Sequence, residues 1–290
     1  CLLADALVTV RGERSWAFGP DALADLVGGP TRNLDSDVFF RAYLDDDRIA
    51  AGYGAGDADA VALIDGYAAG YNHYLAERGP GGLPVACRDA DWVRPASGGD
   101  LRRLLTERAI QASGGRFAVA IATAVPPASD AATPPVPVSG LVWPDDAARL
   151  GSNAYAVGGR LTADGGGLLL GNPHFPWQGN SRFFQMHLTL PGRLDVMGAA
   201  LPPFPVLVIG FNRDVAWSHT VSASQRFVLH ELALVPGDSL SYLVDGRPER
   251  MQPVTVRVPM AGGDPVTRTV YGTRFGMVVA MPDRGLAWTS

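Results

Sequence analysis

Ser152 is the residue whose type and setting point most directly to chemistry. It follows Gly151 and leads into an alternating segment, Asn153-Ala154-Tyr155-Ala156-Val157, while a Pro/Ala-rich tract stands just ahead of it. If the Gly151–Ser152 bond were cut, Ser152 would become a chain terminus. A free N-terminal serine carries its own nucleophile, Oγ, and its own candidate base, the α-amine. That amine titrates near about 7.7–8.0 when unperturbed, so about a fifth or less is neutral at pH 7. Gly151 suits scission, because a residue without a side chain leaves its carbonyl open and tolerates a strained turn. Taken alone, a serine after a glycine is ordinarily a turn residue; the tract before it and the residues after it favour a nucleophile.

The rest of the catalytic repertoire is thin. All 24 basic residues are arginine, which excludes Schiff-base chemistry, a phosphate-loop lysine and a Ser-Lys hydrolase. No G-x-S-x-G, H-E-x-x-H, phosphate-loop or paired C-x-x-C pattern occurs. The 5 histidines, His73, His174, His187, His219 and His230, show no metal-ligand spacing. A net charge of −5 leaves no basic footprint for nucleic acid. The longest apolar run near the Pro-rich tract, Phe117 to Val125, is far short of the roughly 20 residues that cross a bilayer. Of the 290 residues 47% are hydrophobic and 18% charged, as in a globular protein of one large domain or two small ones. Cys1 and Cys87 are compatible with one disulfide or with two buried thiols. With a cysteine at residue 1 and no signal peptide, the sequence reads as a portion of a longer protein.

The elements that position Ser152 fall into a helical half and a strand-rich half. Leu7 to Val10 reads as a short strand. Asp35 or Ser36 is expected to cap a helix through Val38, Phe39, Tyr43 and Leu44. A longer helix spans Asp59 to Arg78, with Val61, Ile64, Tyr67, Ala68, Tyr71, Tyr74 and Leu75 as a core-facing stripe and Gly79-Pro80 as its stop. His73 on it reads as a surface or packing residue. Another helix covers 99–112. From Thr123 to Asp146 the Pro-Pro pairs exclude a helix or central strand, so that tract is an extended linker. Beyond Ser152, strands are expected at 153–159, 167–171, 182–190, 194–199, 205–211, 226–234 and 253–259. Turns are expected at Asp164-Gly165, Pro191-Gly192 and Asp245-Gly246. Along 183–190 one face is apolar, as where a sheet packs on something.

Several segments resemble the penicillin acylase family of N-terminal nucleophile hydrolases. They are Cys1-Leu2-Leu3-Ala4-Asp5, Asp65-Gly66-Tyr67-Ala68-Ala69-Gly70-Tyr71-Asn72, Gly151-Ser152-Asn153-Ala154, Gly171-Asn172-Pro173-His174-Phe175, and Gly210-Phe211-Asn212-Arg213 with Trp217 to Val221 following. The likeness is greatest to the branch of acyl-homoserine-lactone and aculeacin-type lipopeptide acylases. It implies an α+β fold, the four-layered αββα sandwich. Residues 1–122 would be the helical first subunit, 123–151 a propeptide excised after Gly151, and 152–290 the first part of the catalytic second subunit. Both subunits would come from one precursor, without a cofactor, in the periplasm or outside the cell. The implied activity is hydrolysis of a linear amide in a small N-acylated substrate: an acyl-homoserine lactone, a lipopeptide or a β-lactam side chain. The opposing expectation is an inactive binding or structural relative that keeps the sheet.

By that resemblance, Ser152 is the nucleophile, and His174 tunes the terminal amine or donates a hydrogen bond. In a Pro-flanked turn His174 is otherwise a structural residue. The backbone N–H of Val221 would form one arm of an oxyanion hole; the second arm would be an asparagine beyond Ser290. Phe175, Trp177, Leu201 and Phe204 are candidates for the acyl-chain pocket, although apolar residues at such spacing are more often ordinary core. Calcium-binding family members carry carboxylates just after the oxyanion position. Ser222-Ala223-Ser224-Gln225-Arg226 has none, so no metal is expected.

Overall fold

A computed structural model of the chain describes residues 1–26, 29–53, 56–111, 113–125, 151–179, 181–202, 204–222, 226–281 and 286–289. The expected linker at 126–150, with its Pro-Pro pairs, lies outside the described residues.

The first element corrects the sequence expectation. Leu7 to Val10 is not a strand but the end of helix α1, Leu2–Val10. The β-branched run Val8-Thr9-Val10 favours strand locally, yet Ala4, Leu7 and Val8 form an i, i+3, i+4 buried stripe, and packing overrides propensity. Gly12 (φ +64) ends the turn after α1, and a Cβ there would stand 2.6 Å from Arg41 Cγ. Helix α2, Arg14–Phe18, is capped from another element: the buried Asp37 accepts from the backbone N–H of Arg14 at 2.8 Å and of Ser15 at 2.6 Å. Burial pushes the Asp37 carboxyl up, against those two N–H groups.

A hairpin, β1 (Leu23–Leu26) and β2 (Gly29–Arg32), leads into α3, Asn33–Tyr43. This helix starts before the expected caps: Asp35 sits in its first turn, 2.9 Å from Arg32 Nε, and Ser36 is fully buried. Helix α4 covers Asp46–Tyr53 and α5 covers Ala58–Arg78. Asp57 caps α5 by accepting from the Asp59 and Ala60 N–H groups, and Gly79 at φ 62 stops it. Its stripe is only partly core, since Ile64 and Ala68 are buried while Tyr74 is exposed. Exposed His73 pairs with Glu77 at 3.4 Å. Helix α6, Gly98–Ile110, opens with a Ser97–Asp100 capping box, and α7 is Ala118–Ala122.

The strand-rich half begins with β3 (Gly151–Val157) and β4 (Leu168–His174), an antiparallel pair. A four-stranded sheet follows, β5 (Phe184–Leu190), β6 (Leu194–Ala200), β7 (Ile209–Phe211) and β8 (Ala216–Trp217), in that spatial order. The expected strand at 205–211 shrinks to β7 because Pro202 and Pro205 donate no ladder bonds. The expected strand at 226–234 is reduced to β9 (His230–Glu231) and Leu234, where the next strand starts. Then come β10 (Leu234–Val235), β11 (Asp238–Val244) and β12 (Arg247–Arg250), with Asp245 and Gly246 both at positive φ in the two-residue turn. Last are β13 (Gln252–Met260), β14 (Gly263–Thr273), β15 (Gly276–Met281) and β16 (Leu286–Thr289). They form an antiparallel sheet in the order β13-β14-β15-β16-β9.

One core joins the two halves. Leu7, Val38, Phe39, Leu101, Leu104 and Ile121 from the helices pack with Val256, Val258, Val270 and Val279 from β13, β14 and β15. Cys1 and Cys87 form a disulfide across 86 residues, tying the start of α1 to the turn after α5. The mixed helix-and-sheet class agrees with the expectation.

Candidate active site

The β3–β4 hairpin decides which residues meet. Its register pairs Gly151 with His174, Ser152 with Pro173 and Asn153 with Asn172. That register is set by the connection. A Cβ on Gly159 would stand 2.2 Å from Gly165 O, Gly165 has φ +75, and Thr162 Oγ1 donates to Gly166 O at 2.6 Å. The glycine run at 165–167 therefore lies in a hairpin connection. Residues 22 positions apart in sequence thus become neighbours.

Ser152 Oγ, half-buried, donates to the carbonyl oxygen of Gly151. It accepts from the backbone N–H of His174 at 3.3 Å. The hydroxyl is held against the peptide group whose scission would free its own amine. Side chains alternate along a strand, so His174 shares a face with Asn172, Asn153 and the bare Gly151, while Ser152 and Pro173 belong to the other. His174 reaches Ser152 through its backbone N–H, and its ring meets two amides. Asn153 Nδ2 lies 3.3 Å and Asn172 Nδ2 3.1 Å from His174 Nε2, and Asn172 Nδ2 also donates to Asn153 Oδ1 at 3.4 Å. A Cβ built on Gly151 would stand 3.4 Å from His174 Nδ1.

Val221 sits in an irregular stretch after β8 and is 37% exposed. The approach of that stretch to β4 runs through Gly171, where a Cβ would stand 2.9 Å from Ser218 Oγ. The β7–β8 turn is built by Asn212, whose Oδ1 accepts from the N–H groups of Asp214 and Val215, each at 2.8 Å. The quoted segment Gly210 to Arg213 is thus the end of β7 and the start of the turn that leads through β8 to Ser218 and Val221.

The acyl-pocket candidates differ in their settings. Phe175 packs on Phe183 with ring centroids 5.1 Å apart, Phe204 N–H closes a turn onto Leu201 O at 2.8 Å, and Trp177 is 91% exposed. A large cavity among the described residues, about 610 Å³, is elsewhere, between α1, α3, α6 and β13. Size alone would recommend it. Its walls, however, are ion pairs, Arg11–Asp100, Arg94–Glu13 and Arg103–Asp46, and neither Ser152, His174 nor Val221 lines it. Of the carboxylate-free stretch after Val221, residues 223–225 lie outside the described residues. Sequence reasoning quoted Asn153 and Asn172 only within motifs and did not name Phe183 or Ser218 as neighbours of the site. Their partners are set by strand pairing, which composition does not show.

The penicillin amidase family model matches residues 1–290, the whole chain. The chain belongs to the penicillin amidase family. Two relatives of this penicillin amidase chain are named acyl-homoserine lactone acylase PvdQ. That of Pseudomonas fluorescens (strain Pf0-1) is 44% identical over 100% of the chain and 38% of its own length. That of Pseudomonas syringae pv. syringae (strain B728a) is 46% identical over the same shares. Aculeacin-A acylase of Actinoplanes utahensis is 44% identical over 97% of the chain and 36% of its own length. The chain therefore spans well under half the length of these curated relatives. A solved thermostable penicillin G acylase from Alcaligenes faecalis overlaps 47% of this chain and 25% of its own, with TM-score 0.42 and 20% identity.

Proposed function

We propose that this chain is the helical subunit and the first part of the catalytic subunit of an amidohydrolase that acts through an N-terminal Ser152. The observation that carries the reading is the contact of Ser152 Oγ with the Gly151 carbonyl, opposite His174 in the hairpin. In maturation, Oγ adds to the Gly151 carbonyl carbon, the C–N bond breaks, and the hydroxyl proton passes to the leaving nitrogen. Water then hydrolyses the ester, leaving Gly151 with a carboxylate and Ser152 with a free amine. In turnover the same Oγ attacks a substrate amide, and the amine moves the proton, through a water, to the departing amine. A second water releases the acid. The Val221 N–H serves as one arm of the oxyanion hole, and Phe175, Trp177, Leu201 and Phe204 lie at the acyl chain.

The substrate class is a linear N-acyl amide, in keeping with the names of the acyl-homoserine lactone and aculeacin-A acylase relatives. The boundaries proposed are 1–122, an excised 123–151, and 152–290, within a four-layered αββα sandwich. The Cys1–Cys87 disulfide favours an oxidising compartment, the periplasm or the exterior. No helix among the described residues is long and apolar enough to cross a membrane. N-terminal sequencing of the purified full-length protein tests the reading. Ser152 is expected as a new terminus, and the Ser152→Ala variant is expected to stay uncut; normal processing of that variant refutes self-cleavage.

A further inference from the structure

We infer that Asn153 and Asn172 are positioning residues whose amides hold His174 in the tautomer with its proton on Nδ1, facing Gly151. This rests on the reading that Gly151–Ser152 is the scissile bond. The two asparagines are a directly opposed cross-strand pair, and His174 stands two residues beyond Asn172 on the same face. Their Nδ2 atoms converge on one ring nitrogen, Nε2, at 3.3 and 3.1 Å. With both amides oriented as they stand, their N–H groups point at Nε2, which then presents its lone pair, and the proton of the neutral ring belongs on Nδ1. The amides also support each other's orientation, since Asn172 Nδ2 donates to Asn153 Oδ1 at 3.4 Å. Turning either one alone would set like atoms against each other.

Among the described residues other than its chain neighbours, Nδ1 is also the one atom within 4 Å of a Cβ built on Gly151, at 3.4 Å. The edge of the ring therefore lies beside the residue that donates the scissile carbonyl. With Nδ1 protonated, His174 offers this side a hydrogen-bond donor and no lone pair. It supports negative charge that develops as Oγ adds to the Gly151 carbonyl, and it does not take the hydroxyl proton. The asparagines thus select which chemistry the histidine performs, without touching the reacting atoms.

The test uses the full-length chain labelled with ¹⁵N-histidine, in the Ser152→Ala background so that the bond stays intact. Long-range ¹H–¹⁵N spectra report which imidazole nitrogen bears the proton, and the His174 signals are identified by their loss in His174→Gln. The expected result is Nδ1–H in the parent, moving to Nε2–H in Asn172→Asp, where an isosteric acceptor replaces the donor. Asn153→Asp moves it the same way and keeps the test alive if Asn172→Asp does not fold. With Ser152 restored, the Asp variants are expected to self-cleave more slowly by on the order of 10²-fold, with unchanged thermal midpoints. A parent proton on Nε2, an unmoved tautomer in the variants, or a shifted tautomer with an unchanged cleavage rate each overturns the inference. Absence of cleavage in the parent protein fails the scissile-bond reading instead, and the spectra still decide the clamp.

Discussion

Replacing Gly171 with alanine probes whether the β4–β8 contact sets the geometry of the site. A Cβ on Gly171 would stand 2.9 Å from Ser218 Oγ, 3.2 Å from Ser218 Cβ and 3.9 Å from Ile209 Cγ2. Carbon contacts settle near about 3.5–4.0 Å, so the methyl requires β4 and the Ser218 segment to part by several tenths of an ångström. Rotating the hydroxyl away relieves only the nearer contact; the Cβ remains. Overpacking of this kind costs about 1–3 kcal/mol. The displacement falls on the irregular stretch from Ser218 to Val221, which has no ladder hydrogen bonds to resist it. Losing one oxyanion donor outright costs roughly 10²–10³ in rate, and a partial displacement is expected to lower kcat about tenfold, an intermediate share of that range. The assay is acyl-amide hydrolysis by the full-length mature protein, beside urea unfolding of the same sample. In the Gly171→Ala background, Ser218→Gly removes both close atoms and is expected to restore most of the activity. Wild-type turnover in Gly171→Ala, or failure of Ser218→Gly to rescue it, would refute the idea that this contact places the Val221 N–H.

Breaking the Cys1–Cys87 disulfide, by alanine at both positions, frees a loop closed across 86 residues. The loop-entropy relation gives a loss of roughly 4–5 kcal/mol, to be read from urea midpoints; a loss under about 1 kcal/mol contradicts it. Burial opposes ionisation of Asp100, but its hydrogen bonds to Arg11 and Ser97 prevail and draw its pKa down from 3.8 to about 2. The pair's stabilisation is therefore complete above the unfolded pKa and is lost as pH falls from about 4 to about 2, a contribution of roughly 2 kcal/mol that Asp100→Asn should lack in acid unfolding curves. Since α3 and α7 share a core with β13 to β15, scission at Gly151–Ser152 is expected to leave the two pieces co-eluting in non-denaturing gel filtration and parting only in denaturant. Chelator treatment is expected to leave activity and melting nearly unchanged; a loss restored by calcium would show ligands outside the stretch considered.

What the sequence disclosed depended on how local the cause was. Helices α5 and α6 were legible because their causes are local: apolar residues recur at helical spacing, with Gly79 as the stop of α5, and the expected 99–112 matches Gly98–Ile110 to within two residues. Helix α1 was not, because Val8-Thr9-Val10 taken by itself favours a strand and only burial of Ala4, Leu7 and Val8 against the other helices decides otherwise. The turn at Asp245-Gly246 was legible, but the strands on either side were not assigned. In β11, Ser241 and Tyr242 are buried side by side where period-2 alternation would expose one of them. Strand β14 carries Pro265 and a run of exposed polar residues, and its place comes from pairing with β13 along most of its length.

At the site the same division holds. Ser152 was conspicuous from its neighbours along the chain: the glycine before it, the Pro/Ala-rich tract ahead of that and the motifs that follow. The residues that prepare it are conspicuous only across the chain. Gly159 is required by Gly165 O, Gly171 by Ser218, and Asn153 by Asn172, each pair brought together by strand register or a close backbone approach. A glycine or an asparagine taken singly is turn chemistry. Placed opposite its partner, the glycine sets how near two strands come, and the asparagine sets which atom of His174 carries a proton. The segments 151–154 and 171–175 therefore encode one object, a hairpin end that sets Gly151 beside a ring held between paired amides.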